Sequence, residues 1–274
     1  MNICVVISAY RNWHALHWTL LGYRLQQRLP DEIIVAEDSQ FPEVAEVVRA
    51  HASAAPFPIR HLTQEDQGFR KCRILNQAML ASNADWLVFT DADCIPRADL
   101  LAVHEAYARP GMFLTGASHV NIPPAVQPRL LTEDNLRSQQ LFDRSFLKAH
   151  GAPVPGFRLT PRRRLARLLD ALTPRSVFVG CNAGAWRTDL LKVCGFDESF
   201  GYGAEDRNLG IRLNNLGIRG VRARYSLAWL HVEHGRGYVD AKRLAAQKVI
   251  NARVRQSGQT LPEASLLLES GGPR

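Results

Sequence analysis

Within its first hundred residues the chain alternates short apolar, β-branched runs with amphipathic stretches, and this rhythm restricts the fold more than any other feature. Asn2 to Ala9, Glu32 to Asp38, Ile59 to Leu62 and Trp86 to Asp93 read as strands. Between them, Trp13 to Leu29 sets Leu16, Leu20, Leu21 and Leu25 at helical spacing, with Pro30 as a stop. Pro42 to Ala54 and Arg70 to Ala81 read as two further helices. Such alternation predicts an α/β fold: a parallel sheet with helices on both faces and a ligand site beyond the carboxyl ends of its strands. Three polar clusters fall at those ends: Ser8-Ala9-Tyr10-Arg11, Glu37-Asp38-Ser39 and Asp91-Ala92-Asp93.

After Leu101 the rhythm loosens. Gly111 to Val120 reads as paired strand, and Thr132 to His150 as one long polar helix. Gly151 to Phe157 is a Pro/Gly stretch, and a C-terminal helix is expected from about Val239, with the last dozen residues frayed. With 274 residues, 46% hydrophobic and 22% charged, the chain carries enough apolar material for a large core and is excluded from the disordered class. Five dispersed cysteines without metal-ligand spacing read as reduced intracellular thiols. The apolar opening is too short for a signal peptide, and nothing approaches ~20 apolar residues. A cytoplasmic protein is expected. The net charge of +8 suits anionic partners without choosing among them.

Asp91-Ala92-Asp93 closes the most apolar strand, where alternate residues share a face, so two carboxylates would converge and repel unless a divalent cation lay between them. The plainer alternative is that Asp93 caps the following turn. In GYGAEDRNLGIRL, Gly201 and Gly203 permit unusual backbone, and Glu205 and Asp206 follow at the start of a helix. Acids there suit the helix dipole, yet the pair could equally supply a general base with a neighbouring acceptor. Gly68 precedes Arg70, Lys71 and Arg73, with Asn76 further along, a pattern for a diphosphate or for an exposed basic face. His231 and His234 follow the strand SLAWL, and either could complete a metal site.

Taken together, SAYRN, the strand ending in Asp38, GFRK with Asn76, and DAD resemble a glycosyltransferase of the GT-A fold, family 2-like. NAGAW, GFDESF and GYGAEDRNLGIRL are similar to acceptor-side motifs of galactosyl- and N-acetylgalactosaminyltransferases, including chondroitin-polymerase-type domains and the β-1,4-galactosyltransferase group. The resemblance spans Ile3 to His234 with a gap between Asn121 and Arg175. It implies a Rossmann-like, mixed but mostly parallel sheet flanked by helices, in one domain over residues 1–257. Residues 1–105 would bind nucleotide, 106–257 acceptor, with a basic helical insertion at about 123–175 and a tail at 258–274.

By the same resemblance, Ala9, Tyr10 and Arg11 line a uridine pocket and Asp38 lies near the uracil edge. Lys71 and Asn76 lie by ribose and phosphates. Asp91 and the intervening Ala92 lie on the ribose or metal side, and Asp93 ligates Mn2+ or Mg2+. Asn182, Gly184 and Trp186 border the sugars. Glu205 holds an acceptor hydroxyl, Asp206 is the base, and His231 is the metal histidine with His234 as the other candidate. Tyr202 and Ala204 stand where tryptophan and glycine are frequent. The implied reaction moves a sugar such as galactose, N-acetylgalactosamine or N-acetylglucosamine from a UDP-sugar to a glycan or lipid-linked acceptor in bacterial surface polysaccharide synthesis, with inversion.

Between Arg158 and Arg175, six arginines meet one aspartate, a net +5 of the total +8. Leu165, Leu168, Leu169 and Leu172 share one helical face. The segment around Arg162 to Arg167 therefore reads either as a helix for an anionic membrane surface, peripheral on the inner face, or as one packed on the core with solvated arginines. Nucleic acid is not expected as a partner, because aromatics are not interleaved with the charge. A nucleotidyltransferase would need a glycine-rich loop after the first strand, which Tyr10-Arg11-Asn12-Trp13 lacks. A non-catalytic sugar-nucleotide-binding or membrane-scaffold module has no need of both acidic pairs.

Overall fold

Residues 3–9 are apolar without alternation because both faces of the strand they form are covered. A computed structural model describes residues 1–116, 119–154, 159, 163–172, 177–235 and 240–269. The chain runs through β1 (Ile3–Ala9), α1 (Trp13–Arg24), β2 (Glu32–Glu37), α2 (Pro42–Ala54), β3 (Ile59–Thr63), α3 (Lys71–Ala81), β4 (Trp86–Asp91), β5 (Cys94–Pro96) and α4 (Leu100–Tyr107). It continues as β6 (Met112–Thr115), β7 (His119–Ile122), α5 (Gln127–Leu130), α6 (Glu133–Arg137), α7 (Arg144–Ala149), α8 (Arg163–Ala171), β8 (Asn182–Trp186) and α9 (Arg187–Lys192). It closes with α10 (Glu205–Asn215), β9 (Arg219–Arg222), β10 (Trp229–Val232), α11 (Ala241–Ser257) and α12 (Leu266–Glu269).

Seven strands form one sheet in the order β3-β2-β1-β4-β8-β6-β9, and β5-β10-β7 form a second. Pairing is parallel from β3 to β4, antiparallel on both sides of β8, and parallel again between β6 and β9. This is the expected mixed, mostly parallel sheet. Ile3, Val5 and Ile7 enter one core with Leu16, Leu20 and Tyr23 of α1 and Leu101 of α4. Cys4 and Val6 enter the opposite core with Ile74 and Ala78 of α3, Leu190 of α9 and Leu209 of α10. Each fully buried aliphatic side chain contributes roughly 1.5–3 kcal/mol, so β1 is held from both sides. A third core joins Ile95, Val120, Ile122 and Leu230 of the small sheet to Leu136, Leu141 and Leu147.

Three expectations need correction, and the expected C-terminal helix is present. Thr132 to His150 is not one helix: Gln139 turns left-handed at φ 62, and Asp143 starts a new helix by accepting from Phe146 N at 2.7 Å. The strand pair expected at 111–120 is instead β6 and β7, which belong to different sheets. The C-terminal helix is described from Ala241, capped by Asp240, and Val239 lies outside the described residues. The chain after Gly258 is not frayed up to Glu269: Asp197 accepts from Glu263 N at 2.8 Å and Ala264 N at 3.3 Å, and Leu267 is buried. All five cysteines are free thiols.

Candidate active site

At the carboxyl end of β1, Ala9 is buried and its carbonyl accepts from Asp38 N at 2.9 Å. The chain then turns through Arg11 at φ 54, a left-handed conformation that costs a non-glycine residue roughly 1–2 kcal/mol. Exposed Tyr10 and Arg11 both reach Asp66, at 3.1 and 2.7 Å. Asp66 is not among the sequence candidates; its sole signal is an acidic pair, Glu65-Asp66, two residues before the glycine at 68. Asp38 is buried and accepts from Gln64 Nε2 at 2.6 Å and Arg70 N at 2.7 Å. Burial raises its pKa against those hydrogen bonds. The loop before α3 is thereby tied to the end of β2.

Strand β4 stops at Asp91, and the chain turns at Ala92, whose N–H donates to Ser8 O at 2.8 Å and whose carbonyl accepts from Thr19 Oγ1 at 2.8 Å. Asp91 and Asp93 are therefore separated by a turn rather than set on one strand face, and they have different partners, yet their carboxylates converge within 4.8 Å as expected. Lys71 Nζ donates to Asp91 Oδ1 at 2.6 Å. Burial pulls the Lys71 ammonium down, but Asp91, Glu205 and Asp206 outweigh it and hold the amine protonated well above the ordinary lysine value. Asp93 Oδ2 lies 2.8 Å from His234 Nε2 and 3.4 Å from His231 Nε2. Burial opposes its charge, yet the two imidazoles hold the carboxyl far below the usual range.

Ligand atoms of Asp93, His231 and His234 all lie within 4.8 Å of one another, as do those of Asp91, Asp93 and Cys94. The first set suits a borderline divalent ion: one carboxylate from the turn after β4, one imidazole from β10 and one from the segment just after it. The second suits it less, because burial pushes the Cys94 thiol well above its ordinary value and keeps it protonated. Both histidines converge on Asp93, so the choice the sequence left open between them is not forced.

Across Lys71 lies the start of α10. Ala204, its N-cap, is left-handed at φ 92 with no side-chain capping bond. Its carbonyl accepts from Asn251 Nδ2 at 3.0 Å, Asn251 Oδ1 accepts from Asn208 Nδ2 at 3.0 Å, and Asn208 Oδ1 accepts from Arg212 Nε at 2.7 Å. This buried relay pins the turn to α11. At Gly201 a Cβ would strike the Arg243 guanidinium, so the glycine admits α11 from the other side. Neither partner was visible in the sequence.

Asp206 is half-buried, and its two oxygens accept from Gly180 N at 3.0 Å and Arg207 N at 2.6 Å. Burial raises its pKa against those bonds. Glu205 is 6% exposed, and its Oε2 has no hydrogen-bond partner among the described residues. Burial pushes its pKa up to about 7, with Lys71 opposing and Asp206 adding to the rise.

Three sequence candidates are not brought to this place. Asn76 is fully buried and donates to Phe196 O at 2.9 Å, Glu198 Oε1 at 2.9 Å and Ser265 Oγ at 3.1 Å, so it staples α3 to later segments. Trp186 pairs with Trp86 at the far end of antiparallel β8 and donates to Arg109 O at 2.8 Å. Gly184 sits mid-strand, where a Cβ would strike Trp86 and His104, so it serves packing. Asn182 does pair with Thr90 at the site end, its amide donating to Leu227 O at 3.3 Å.

The profile of the family described as Glycosyl transferase family 2 matches residues 4–167. The chain belongs to glycosyltransferase family 2. This family 2 chain is 24% identical over 278 residues to the uncharacterized glycosyltransferase YfnE of Bacillus subtilis strain 168, covering 85% of itself and 65% of the relative. Among solved structures it is similar to the mannosyltransferase PcManGT from Pyrobaculum calidifontis in complex with GDP-Man and Mn2+ (TM-score 0.63, 19% identity, 93% of this chain, 64% of that one). It is similar also to S. aureus TarS (TM-score 0.61, 12% identity, 93% and 39%). A third is Mycobacterium tuberculosis glucosyl-3-phosphoglycerate synthase with Mn2+, UDP and glucosyl-3-phosphoglycerate (TM-score 0.52, 19% identity, 96% and 81%). The chain thus spans under two thirds of YfnE and of PcManGT. Among its described residues no helix is long and apolar enough to cross a membrane.

Proposed function

We propose that this family 2 chain transfers a hexose from a UDP-sugar to a hydroxyl of a glycan or lipid-linked acceptor, with inversion, in the synthesis of a bacterial surface polysaccharide. On this reading residues 1–105 form the nucleotide half and 106–257 the acceptor half, and the enzyme works in the cytoplasm, peripherally at the inner membrane face. The observation that carries it is that Lys71 bonds Asp91, whose carboxylate lies within 4.8 Å of Asp93 and so beside its two imidazoles, while Glu205 and Asp206 also act on the same ammonium.

Asp206 is the base. Its backbone bonds to Gly180 and Arg207 fix the carboxylate, and its half-exposed position leaves lone pairs for an acceptor hydroxyl. That hydroxyl has a high pKa, so its proton must leave to a carboxylate as attack proceeds. Glu205 turns its unpartnered oxygen to a sugar hydroxyl. Asp38, anchored by Gln64 and Arg70, keeps lone pairs for an imide N–H of uracil, and Tyr10 and Arg11 flank the base. Lys71 neutralises charge on the leaving diphosphate. Asp93, His231 and His234, with Asp91 beside them, would hold Mn2+ or Mg2+, which when bound supplies further charge neutralisation to that diphosphate. With one base and no second nucleophile, displacement is direct.

The test is UDP release from a panel of UDP-sugars, with GDP-mannose as the control donor, in manganese and in chelator. A UDP-sugar substrate is expected, with calorimetric UDP affinity in manganese that falls in Asp93→Ala to the level found in chelator. Equal UDP affinity with and without the metal would remove the ion from the site. Exclusive use of the GDP-sugar would overturn the uridine assignment.

A further inference from the structure

Helix α8 is turned the wrong way round for a helix that only packs on its own protein. Its inward residues are Ala166 and Asp170, 1% and 6% exposed. Asp170 accepts from Tyr225 N at 2.8 Å and from the Tyr107 hydroxyl at 3.2 Å. Of the four leucines the sequence places on one face, Leu169 is half-buried, while Leu165, Leu168 and Leu172 are 43%, 62% and 77% exposed. Three of the four leucines on the face expected to pack or to bind therefore stay on the outside. Aligned leucines left in water mark an interaction surface rather than the ordinary scatter of exposed apolar residues.

The charge beside them is one-sided. Asp170 is the one acid against six arginines between positions 158 and 175, and it is folded inward. Arg158, Arg162 and Arg175 lie outside the described residues, as do the side chains of Arg163 and Arg164. Exposed Arg167 lies with its guanidinium 6.0 Å from the Tyr107 ring centre, and Arg224 lies 5.8 Å from the ring of Tyr225, the residue bonded to Asp170. The inward acid thus leaves Leu165, Leu168 and Leu172 together with Arg167 on the outside.

We propose that this face docks on an anionic lipid surface, with Leu165, Leu168 and Leu172 entering the boundary between headgroups and acyl chains, Arg167 meeting lipid phosphates, and the segment's net positive charge drawing it there. The proposal rests on the peripheral placement above and names the surface responsible for it. A second copy of the chain would set arginines against arginines. Nucleic acid would reward the arginines and leave the leucines in water. A lipid surface satisfies both.

The experiment is co-sedimentation of the full chain with vesicles of phosphatidylcholine alone and of phosphatidylcholine mixed with phosphatidylglycerol. Binding is expected to the mixed vesicles and to fade with salt, as the Debye length falls from about 10 Å at 0.1 M to about 3 Å at 1 M. Arg167→Glu changes two charge units, each worth about fivefold, and should weaken partitioning roughly 25-fold. Leu168→Ser with Leu172→Ser should weaken it roughly tenfold even at low salt. Both variants should release UDP at the wild-type rate, since neither alters a residue of the proposed site; normal sedimentation with no UDP release in any protein would instead sink the catalytic reading alone. Undiminished binding in the leucine variant would overturn the lipid proposal. So would a mass that doubles with concentration in the absence of lipid, or binding to single-stranded DNA that survives loss of the leucines.

Discussion

The corner at Asp93 and the corner at Glu205 and Asp206 are built from the same carboxylate chemistry in opposite electrostatic settings. Asp93 sits in the turn that leads from β4 into β5, its carbonyl accepting from Val232 N at the end of β10, and its two histidines keep it ionised far below the usual range. Glu205 follows a left-handed alanine, keeps an unpartnered oxygen, and is pushed up to about 7 by burial. Strands offer fixed donors from several directions, which suits sharing one cation. A helix start reached through a strained turn holds acids that the fold alone does not satisfy, and unsatisfied acids are what a hydroxyl substrate needs. The difference teaches that proximity of acids says little; what the backbone has already given each one says more.

The contrast would break most visibly at Asp206. Asp206→Asn keeps size and most hydrogen-bonding capacity but cannot take a proton. Transfer should fall by roughly 10²–10⁴-fold while calorimetric UDP and metal affinity stay unchanged. A near wild-type rate would move the base to Glu205, and lost UDP affinity would make Asp206 a structural residue.

Glu205 sharpens the contrast through stability. Its pKa is up from an ordinary 4.5 to about 7, so the folded protein holds a proton that the unfolded chain has released across that interval. The favourable contribution of neutral Glu205 is complete below pH 4.5 and is lost as pH rises through 7. Glu205→Gln should therefore match the wild type near pH 4.5 and exceed it by up to about 3 kcal/mol at pH 8, read from urea midpoints. The same variant should raise the acceptor KM. A pH-independent difference between the two proteins would show that burial does not strain this acid.

The smallest effect concerns the turn itself. Asn251→Ala removes the bond that pins Ala204 O and should lower kcat about tenfold, the cost of releasing an alanine from a left-handed conformation worth roughly 1–2 kcal/mol. Ala204→Gly in the same background should restore the rate, because glycine holds φ 92 without strain. Failure of that rescue would mean that Asn251 supports folding rather than the position of the acids.

The first half of the fold was legible because its signals are local. Ile3 to Ala9 is apolar on both faces since helices cover both, and Asp38, Lys71 and Asp93 reach the site because parallel strands end on one edge. The errors arise where the deciding contact is remote or the direction of a strand matters. Trp186 was misplaced because nothing in NAGAW tells that β8 runs antiparallel to β4. Asn76 was misread because its partners lie at least 120 residues away. Asp91 and Asp93 converge as their spacing suggests, but across a turn rather than along a strand face, because the turn at Ala92 is made by Ser8 and Thr19 and not by its own sequence.

The staple at Asn76 also bears on how the chain is made. The helix that carries Lys71 is locked by Phe196, Glu198 and finally Ser265, 189 residues downstream. At about 5–20 residues per second, a ribosome leaves that amide waiting roughly ten to forty seconds after the donor-side strands have emerged. During that interval α3 has a polar group destined for full burial and nothing to bond it, and the sheet lacks β8, its antiparallel neighbour. Residues 1–105, the half we propose to bind nucleotide, are thus early in order of synthesis and late in order of completion, and cut away from the rest they would lose the lock on their lysine helix.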